Sequence, residues 1–262
     1  MATEVAPRAP FRAAPLRVHN LGYSYGALPA LRNVTIEVPA GTVCAVLGTN
    51  GAGKSTLASA IAGVVTTGPG SVMLDGEDLS QTPRFARARR GVSFVPEGGA
   101  LFPALTVAEN ILVGDRGASR QQRKETLERA AELFPFMGKR WNERAGMLSG
   151  GEQQMVSLSR TLVHPSTVVV VDELSHGLAP AIVEQLFGVL AGFRGEMTLV
   201  LIEQYVKRAH ELADQVVVLS YGTVALQRAA AEVTLAEIEQ AYELDLAESA
   251  AAPRAMGEPS LP

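Results

Sequence analysis

The stretch Val43-Cys44-Ala45-Val46-Leu47-Gly48-Thr49-Asn50-Gly51-Ala52-Gly53-Lys54-Ser55-Thr56 decides how the rest of the chain is read. An apolar run of strand length enters a glycine-rich loop, and the loop closes on Lys-Ser-Thr where a helical pattern begins. Gly48, Gly51 and Gly53 allow turns that other residues resist, so the loop, with Asn50 and Ala52 in it, brings several N–H groups to bear on one anion. Lys54 adds a point charge toward outer phosphates, and Ser55 offers a hydroxyl to Mg²⁺. Thr56 completes the first residues of a helix whose dipole favours negative charge at its N-terminus. The spacing predicts strand, phosphate loop and helix, with phosphates and Mg²⁺ as ligands.

Bulk properties bound what surrounds this unit. A chain of 262 residues, 47% hydrophobic, can bury one large core or two modest ones. The formal net charge of −4 gives no basic excess, so no nucleic-acid partner is indicated. The single cysteine, Cys44, excludes an intrachain disulfide and reads as a small buried hydrophobe of the strand, which suits a reducing cytosol. The apolar runs Val43 to Leu47 and Val168 to Val171 are far too short to span a bilayer and are read as core strands. Residues 1–15 and 247–262 are rich in Ala and Pro and are expected to be disordered tails around one domain at 16–246.

Along the chain, Leu16 to His19, Tyr23 to Gly26 and Val34 to Val38 read as short strands of an antiparallel sheet. A helix is expected from Lys54 to about Ala62, a strand at Ser71 to Leu74, a short helix capped by Thr82 with Pro83 in its first turn, and a strand at Val92 to Val95. From Pro96 to Gly150 strands vanish. The pairs Thr106/Glu109, Ser119/Gln122 and Ser149/Glu152 have capping-box spacing, and an inserted helical subdomain is expected at about 97–160. Alternation then returns: strand 167–171, helix 181–191, strand 198–202, helix 205–212, strands 215–219 and 223–226. The pattern implies an α/β fold, a mainly parallel sheet with helices on both faces.

Two further stretches carry chemistry. Thr167 to Val171 empties Asp172 and Glu173 at the C-terminal end of a buried strand, where open parallel sheets place their ligands. Asp172 can hold Mg²⁺ directly or through water, and Glu173 can orient and polarise the water that attacks a γ-phosphate. Leu148-Ser149-Gly150-Gly151-Glu152 opens a helix with exposed N–H groups and no lysine, a second anion site that is useful only against a phosphate held elsewhere.

Together these motifs resemble the ATP-binding subunit of an ATP-binding-cassette transporter across about residues 16–245. The resemblance implies a P-loop NTPase of ABC ATPase type, with a mixed-sheet core, an N-terminal antiparallel β subdomain and the helical insert. It implies ATP hydrolysis, and two subunits that sandwich two nucleotides head to tail, Ser149, Gly150, Gly151 and Glu152 closing on the partner's. Tyr25 lies where the family stacks an aromatic on adenine, with Tyr23 as a competitor. Glu97 stands in place of the family's Mg²⁺-facing glutamine, and Gln204 in place of its γ-phosphate-facing histidine. Glu97 can still ligate Mg²⁺, whereas Gln204 can donate one hydrogen bond and cannot carry charge. His176, in the loop Ser175 to Pro180 where many relatives have leucine, is read as a surface or interface side chain.

The combination Val95-Pro96-Glu97-Gly98, Leu101-Phe102-Pro103, Gly177-Leu178-Ala179-Pro180, Ile202-Glu203-Gln204 and Ala241-Tyr242 resembles the second ATPase subunit of bacterial branched-chain or hydrophobic amino-acid uptake systems, and relatives importing urea or short amides share it. That resemblance implies a peripheral protein on the cytoplasmic face of the plasma membrane. Its partners would be a second ATPase subunit in a heterodimer or homodimer, two permease subunits and, indirectly, a solute-binding protein. Two alternatives stay open: a regulatory ATP-binding subunit with little hydrolysis of its own, motivated by Glu97 and Gln204, and a soluble cassette ATPase unconnected with transport.

Overall fold

The computed structural model describes residues 12–115 and 117–242. Most of both expected tails, and residues 243–246 of the expected domain, lie outside the described residues. Ala14 and Pro15, assigned to the tail from sequence, are tied to the core instead. The Ala14 carbonyl accepts from the buried Thr198 hydroxyl at 2.7 Å, and the Pro15 carbonyl accepts from the Asp75 N–H at 3.0 Å.

The strands in chain order are β1 (Leu16–Tyr25), β2 (Leu28–Val38), β3 (Val43–Leu47), β4 (Val72–Leu74), β5 (Glu77–Asp78), β6 (Val92–Val95), β7 (Val168–Asp172), β8 (Thr198–Ile202), β9 (Gln215–Ser220) and β10 (Thr223–Ala229). They form an antiparallel sheet in the order β2-β1-β4-β5 and a mixed sheet in the order β10-β9-β3-β8-β7-β6. In the second sheet β6, β7, β8, β3 and β9 pair in parallel, and β10 returns antiparallel beside β9. The helices are α1 (Lys54–Ala62), α2 (Arg84–Arg89), α3 (Val107–Leu112), α4 (Arg120–Leu133), α5 (Gly150–Leu162), α6 (Pro180–Ala191) and α7 (Val206–Leu212).

The central strands are apolar on both sides because both faces are covered. Val43, Ala45 and Leu47 of β3 face one core with Val169, Val171, Leu199 and Leu201. Cys44 and Val46 face the other with Val168, Val170, Val200 and Ile202. The first core is closed by α5, α6 and α7, and also takes Val107, Ile111 and Ala130 from the helical insert. The second is closed by α1, through Leu57, Ala58 and Ile61, and by Leu16, Val18 and Ile36 of the antiparallel sheet. The expectation of helices on both faces is therefore met unequally: one face carries a helix packed together with a second sheet. Cys44 is buried as expected, and burial pushes its thiol up to about 12, which leaves it chemically inert.

Local chemistry explains most element ends. Capping boxes form at Thr106, Ser119 and Ser149, each with its side chain accepting from the third helical N–H and the Glu or Gln reaching back. The cap expected of Thr82 does not form. Pro83 takes the cap position of α2 in extended geometry, with no side-chain cap bond. β1 runs unbroken where two strands are expected, because Asn20 turns left-handed at φ 47° and register shifts follow, so the irregularity is absorbed without ending the strand.

Arg87 holds the far end of α1. Its side chain is wholly buried, and its guanidinium donates to the carbonyls of Ala60 and Ile61 at the C-terminus of α1, and to those of Ser80 and Thr82. A cation is favoured there by the helix dipole. Burial nonetheless pulls its pKa down to about 10, against the opposing charge of Asp78. Replacing Arg87 with Met strands several buried carbonyls, and urea unfolding should show a loss of about 3 kcal/mol.

Candidate functional site

Parallel pairing sets the site's frame. Val46 of β3 lies opposite Ile202 of β8, and Ile202 opposite Asp172 of β7, so these strands end in one row. The residues that follow, Gly48 to Lys54, Glu203 and Gln204, and Glu173, leave the sheet at its C-terminal edge. A cavity of about 360 Å³ at this edge is lined by Ala30, Asn50, Gly51, Gly53, Lys54, Ser55, Thr56, Glu97, Glu173, His176 and Gln204.

The loop after β3 has the shape an anion cradle needs. Gly48 has φ 155° and Gly53 φ 102°, and a Cβ on either would come within 2.5 Å of the Leu219 carbonyl oxygen or 2.6 Å of that of Ala30. Only glycine fits at these two points. Gly53 then caps α1 without a side-chain bond, so the first N–H groups of the helix are not taken by a cap side chain. Lys54 is 4% exposed, and its ammonium donates to the carbonyls of Gly48 and Thr49 at 2.9 Å each while lying 3.8 Å from Glu173 Oε1.

The acids at the C-terminal end of β7 face different surroundings. Asp172 accepts from the Ser55 hydroxyl at 3.3 Å, which brings two hard oxygen donors together. This pair fits the donor set of Mg²⁺. Burial raises the Asp172 carboxyl to about 6, with Ser55 and Lys54 opposing and Glu173 and Glu97 adding to the rise. Glu173 accepts from Gln204 Nε2 on Oε1 at 2.9 Å and from His176 Nδ1 on Oε2 at 3.2 Å. Burial pushes its carboxyl up, but these bonds and the Lys54 charge outweigh it and hold it below the usual carboxylate range. Glu203, 2% exposed, accepts from the Ser175 N–H at 3.2 Å and its hydroxyl at 2.5 Å, tying the loop after β7 to the end of β8.

Of the residues singled out from sequence, Asn50, Gly51, Gly53, Lys54, Ser55, Thr56, Glu97, Glu173 and Gln204 line this one cavity, and Asp172 touches it through Ser55. Gln204 does more than the sequence suggests: its amide donates to Asn50 Oδ1 at 2.6 Å as well as to Glu173, two bonds where one was expected. Glu97 lies 3.6 Å from His176 Nδ1. His176 is not a plain surface side chain, since it contacts Glu173. Its position three residues after Glu173, with Gly177 next, was the available signal for a tight turn that folds it back.

Tyr25 and the segment Ser149 to Glu152 are not among the residues lining the cavity. The Tyr25 ring is 53% exposed and meets Tyr23 edge-on at 5.0 Å, on the β1–β2 hairpin that also supplies Ala30. Ser149 and Gly150 are exposed at the start of α5. Glu152 accepts from the Ser149 N–H at 3.0 Å, a bond that holds its carboxyl below the usual range, and pairs with Arg140 at 3.3 Å.

A family model described as ABC transporter matches residues 31–176. The chain is 37% identical over 220 residues to the high-affinity branched-chain amino acid transport ATP-binding protein BraG of Pseudomonas aeruginosa, covering 83% of this chain and 94% of that protein. It is 33% identical over 220 residues to the probable branched-chain amino acid transport ATP-binding protein LivF of Archaeoglobus fulgidus, covering 83% and 93%. A crystal structure of an ATP-binding cassette of an ABC transporter in its ADP conformation superposes with a TM-score of 0.73 at 25% identity, covering 88% of this chain and 98% of that one.

The raised carboxyl of Asp172 has a measurable sign. Its folded value of about 6 exceeds the ordinary 3.8, so the folded state is favoured by protonation and loses that advantage as pH rises through about 6. In chelator and without nucleotide, Asp172→Asn should stabilise the protein at pH 8 by about 2 kcal/mol, allowing for partial screening. The gain should fade as pH falls through about 6 toward 4, as thermal melts across that range will read.

Proposed function

The chain belongs to the ABC transporter family, and from that premise we propose that it is the ATP-hydrolysing subunit of an importer of branched-chain amino acids or related small solutes. The observation that carries the reading is the meeting of Lys54, Ser55, Glu97, Glu173 and Gln204 around one cavity at the C-terminal edge of the sheet, with Asp172 joined through Ser55. The solute class follows that of the branched-chain amino acid transport relatives BraG and LivF, each covered over more than nine-tenths of its length.

In this reading the loop from Gly48 to Gly53 and the first N–H groups of α1 bind the phosphates of ATP. Lys54 exchanges its loop carbonyls for the outer phosphate oxygens. Ser55 and Asp172 hold Mg²⁺, with Glu97 as a further oxygen donor at the rim. Bound there, Mg²⁺ neutralises charge on the phosphates. Glu173, kept anionic by Gln204, His176 and Lys54, orients the attacking water in line with the γ-phosphorus. Gln204 holds that carboxylate and, through Asn50, the loop that faces the γ-phosphate.

Tyr25 is assigned to the adenine ring, supported by its exposed aromatic face on the hairpin that borders the cavity. Ser149, Gly150, Gly151 and Glu152 are assigned to the nucleotide of a second ATPase subunit. Their exposed helix start, outside this chain's own phosphate cavity, favours a target in another subunit. The assembly is a head-to-tail dimer, taken as a heterodimer with a similar subunit, on two permease subunits at the cytoplasmic face of the plasma membrane. Among the described residues no helix is long and apolar enough to cross a membrane, so the membrane path falls to those partners.

Affinity purification of the tagged chain in mild detergent should recover permease subunits, and uptake of labelled leucine, isoleucine or valine should depend on it. In that assembly Glu173→Gln should lower the turnover of this site at least about a hundredfold while ATP binding persists. Undiminished turnover removes Glu173 from its role, and recovery without any membrane subunit refutes the transport assignment.

A further inference from the structure

The turn after β7 brings a side chain against the water-orienting carboxylate from a side that the phosphate loop does not reach. His176 follows Glu173 by three residues, and its N–H donates to the Glu173 carbonyl at 3.3 Å, closing a turn that folds the imidazole back. Its Nδ1 then lies 3.2 Å from Glu173 Oε2. A carboxylate can only accept, so Nδ1 carries the hydrogen. Oε1 is already engaged by Gln204 Nε2 at 2.9 Å, with Lys54 Nζ at 3.8 Å. Each carboxylate oxygen thus has its own donor from a different loop. A terminal carboxylate torsion is broad and soft when unrestrained, and one donor on each oxygen fixes its plane.

The loop is anchored for this purpose. Ser175, immediately before His176, is clamped by its N–H and hydroxyl to the buried Glu203. His176 itself is 60% exposed, so core packing does not dictate where its ring goes. The same Nδ1 lies 3.6 Å from Glu97 Oε1, which puts the imidazole between the carboxylate after β6 and the one after β7.

We propose that His176 is a positioning residue for hydrolysis: it fixes the Glu173 carboxylate from the Oε2 side while Gln204 fixes it from the Oε1 side. The proposal rests on the ATPase reading above, and it extends that reading to a residue whose imidazole need not touch the nucleotide. A carboxylate held at both oxygens presents one lone-pair direction to water, whereas release of either bond lets the plane swing and the water lose alignment.

The test uses the full chain in the assembly that co-purifies with it. His176→Ala should lower kcat about tenfold with KM for ATP and the melting temperature unchanged, the loss anticipated from one charge-assisted hydrogen bond. His176→Asn, which keeps a short donor, should recover most of the rate. In the Glu173→Gln background, His176→Ala should leave the residual single-turnover rate where it is. The proposal is overturned by kcat within twofold of wild type, by a change confined to KM, by no recovery in His176→Asn, or by the same tenfold loss in the Glu173→Gln background. Wild-type turnover by Glu173→Gln alone would mark failure of the ATPase assignment itself, and any of the former results with Glu173→Gln inactive would mark failure of the His176 inference only.

Discussion

Val46, Ile202 and Asp172 occupy one row across β3, β8 and β7, and the register of that row holds the site together. Each strand reverses the direction of its side chains at every residue, so a slip by one place would carry the apolar set of one core into the other and move each following loop by more than 3 Å. The burial of both faces resists such a slip, since Cys44 and Val46 are matched to one core and Ala45 and Leu47 to the other. The stiffness that catalysis needs is supplied by apolar packing well below the chemistry. The loops at the edge inherit it.

Neighbouring acids on one strand end acquire opposite characters from this frame. Asp172 remains inside the sheet's last row, 4% exposed, and burial favours its neutral form. Glu173, one residue on, has left the sheet and is met by Gln204, His176 and Lys54, which favour its charge. The first is a carboxylate that a cation would stabilise strongly, and the second is already compensated by protein donors. The proposed division of labour between metal holding and water orientation would therefore follow from where the strand stops. Glu203, buried one residue beyond β8, spends its hydrogen bonds on Ser175 and joins the two loops that carry Glu173 and Gln204.

Where local chemistry decides an element, the sequence reading and the structure coincide. The helix at Lys54–Ala62 and the strand at Thr198–Ile202 are found with the expected bounds, and the three capping-box pairs all close. The glycine-rich loop and the acids at the end of β7 were legible because phosphate chemistry imposes a fixed spacing. What was not legible depended on contacts distant in the chain. The antiparallel sheet lies over α1 through residues such as Leu16 and Ile36, which no local periodicity assigns to that face. Ala14 looks like a tail residue until the Thr198 hydroxyl, far along the chain, takes its carbonyl. The sequence reads His176 as a surface or interface side chain, but its partners are carboxylates, one of them only a turn away.

Glu173 adopts φ 47°, in the left-handed region where side chains other than Gly, Asn and Asp are poorly tolerated, while its N–H donates to the Ile202 carbonyl at 2.8 Å. Such a conformation costs a glutamate on the order of 1 kcal/mol. Drift under selection for folding alone would push this position toward glycine, and under the proposed role selection for turnover would hold an acid there. A relative that lost hydrolysis yet kept nucleotide binding would be freed from that tension and could become more robust through the very change that silenced it.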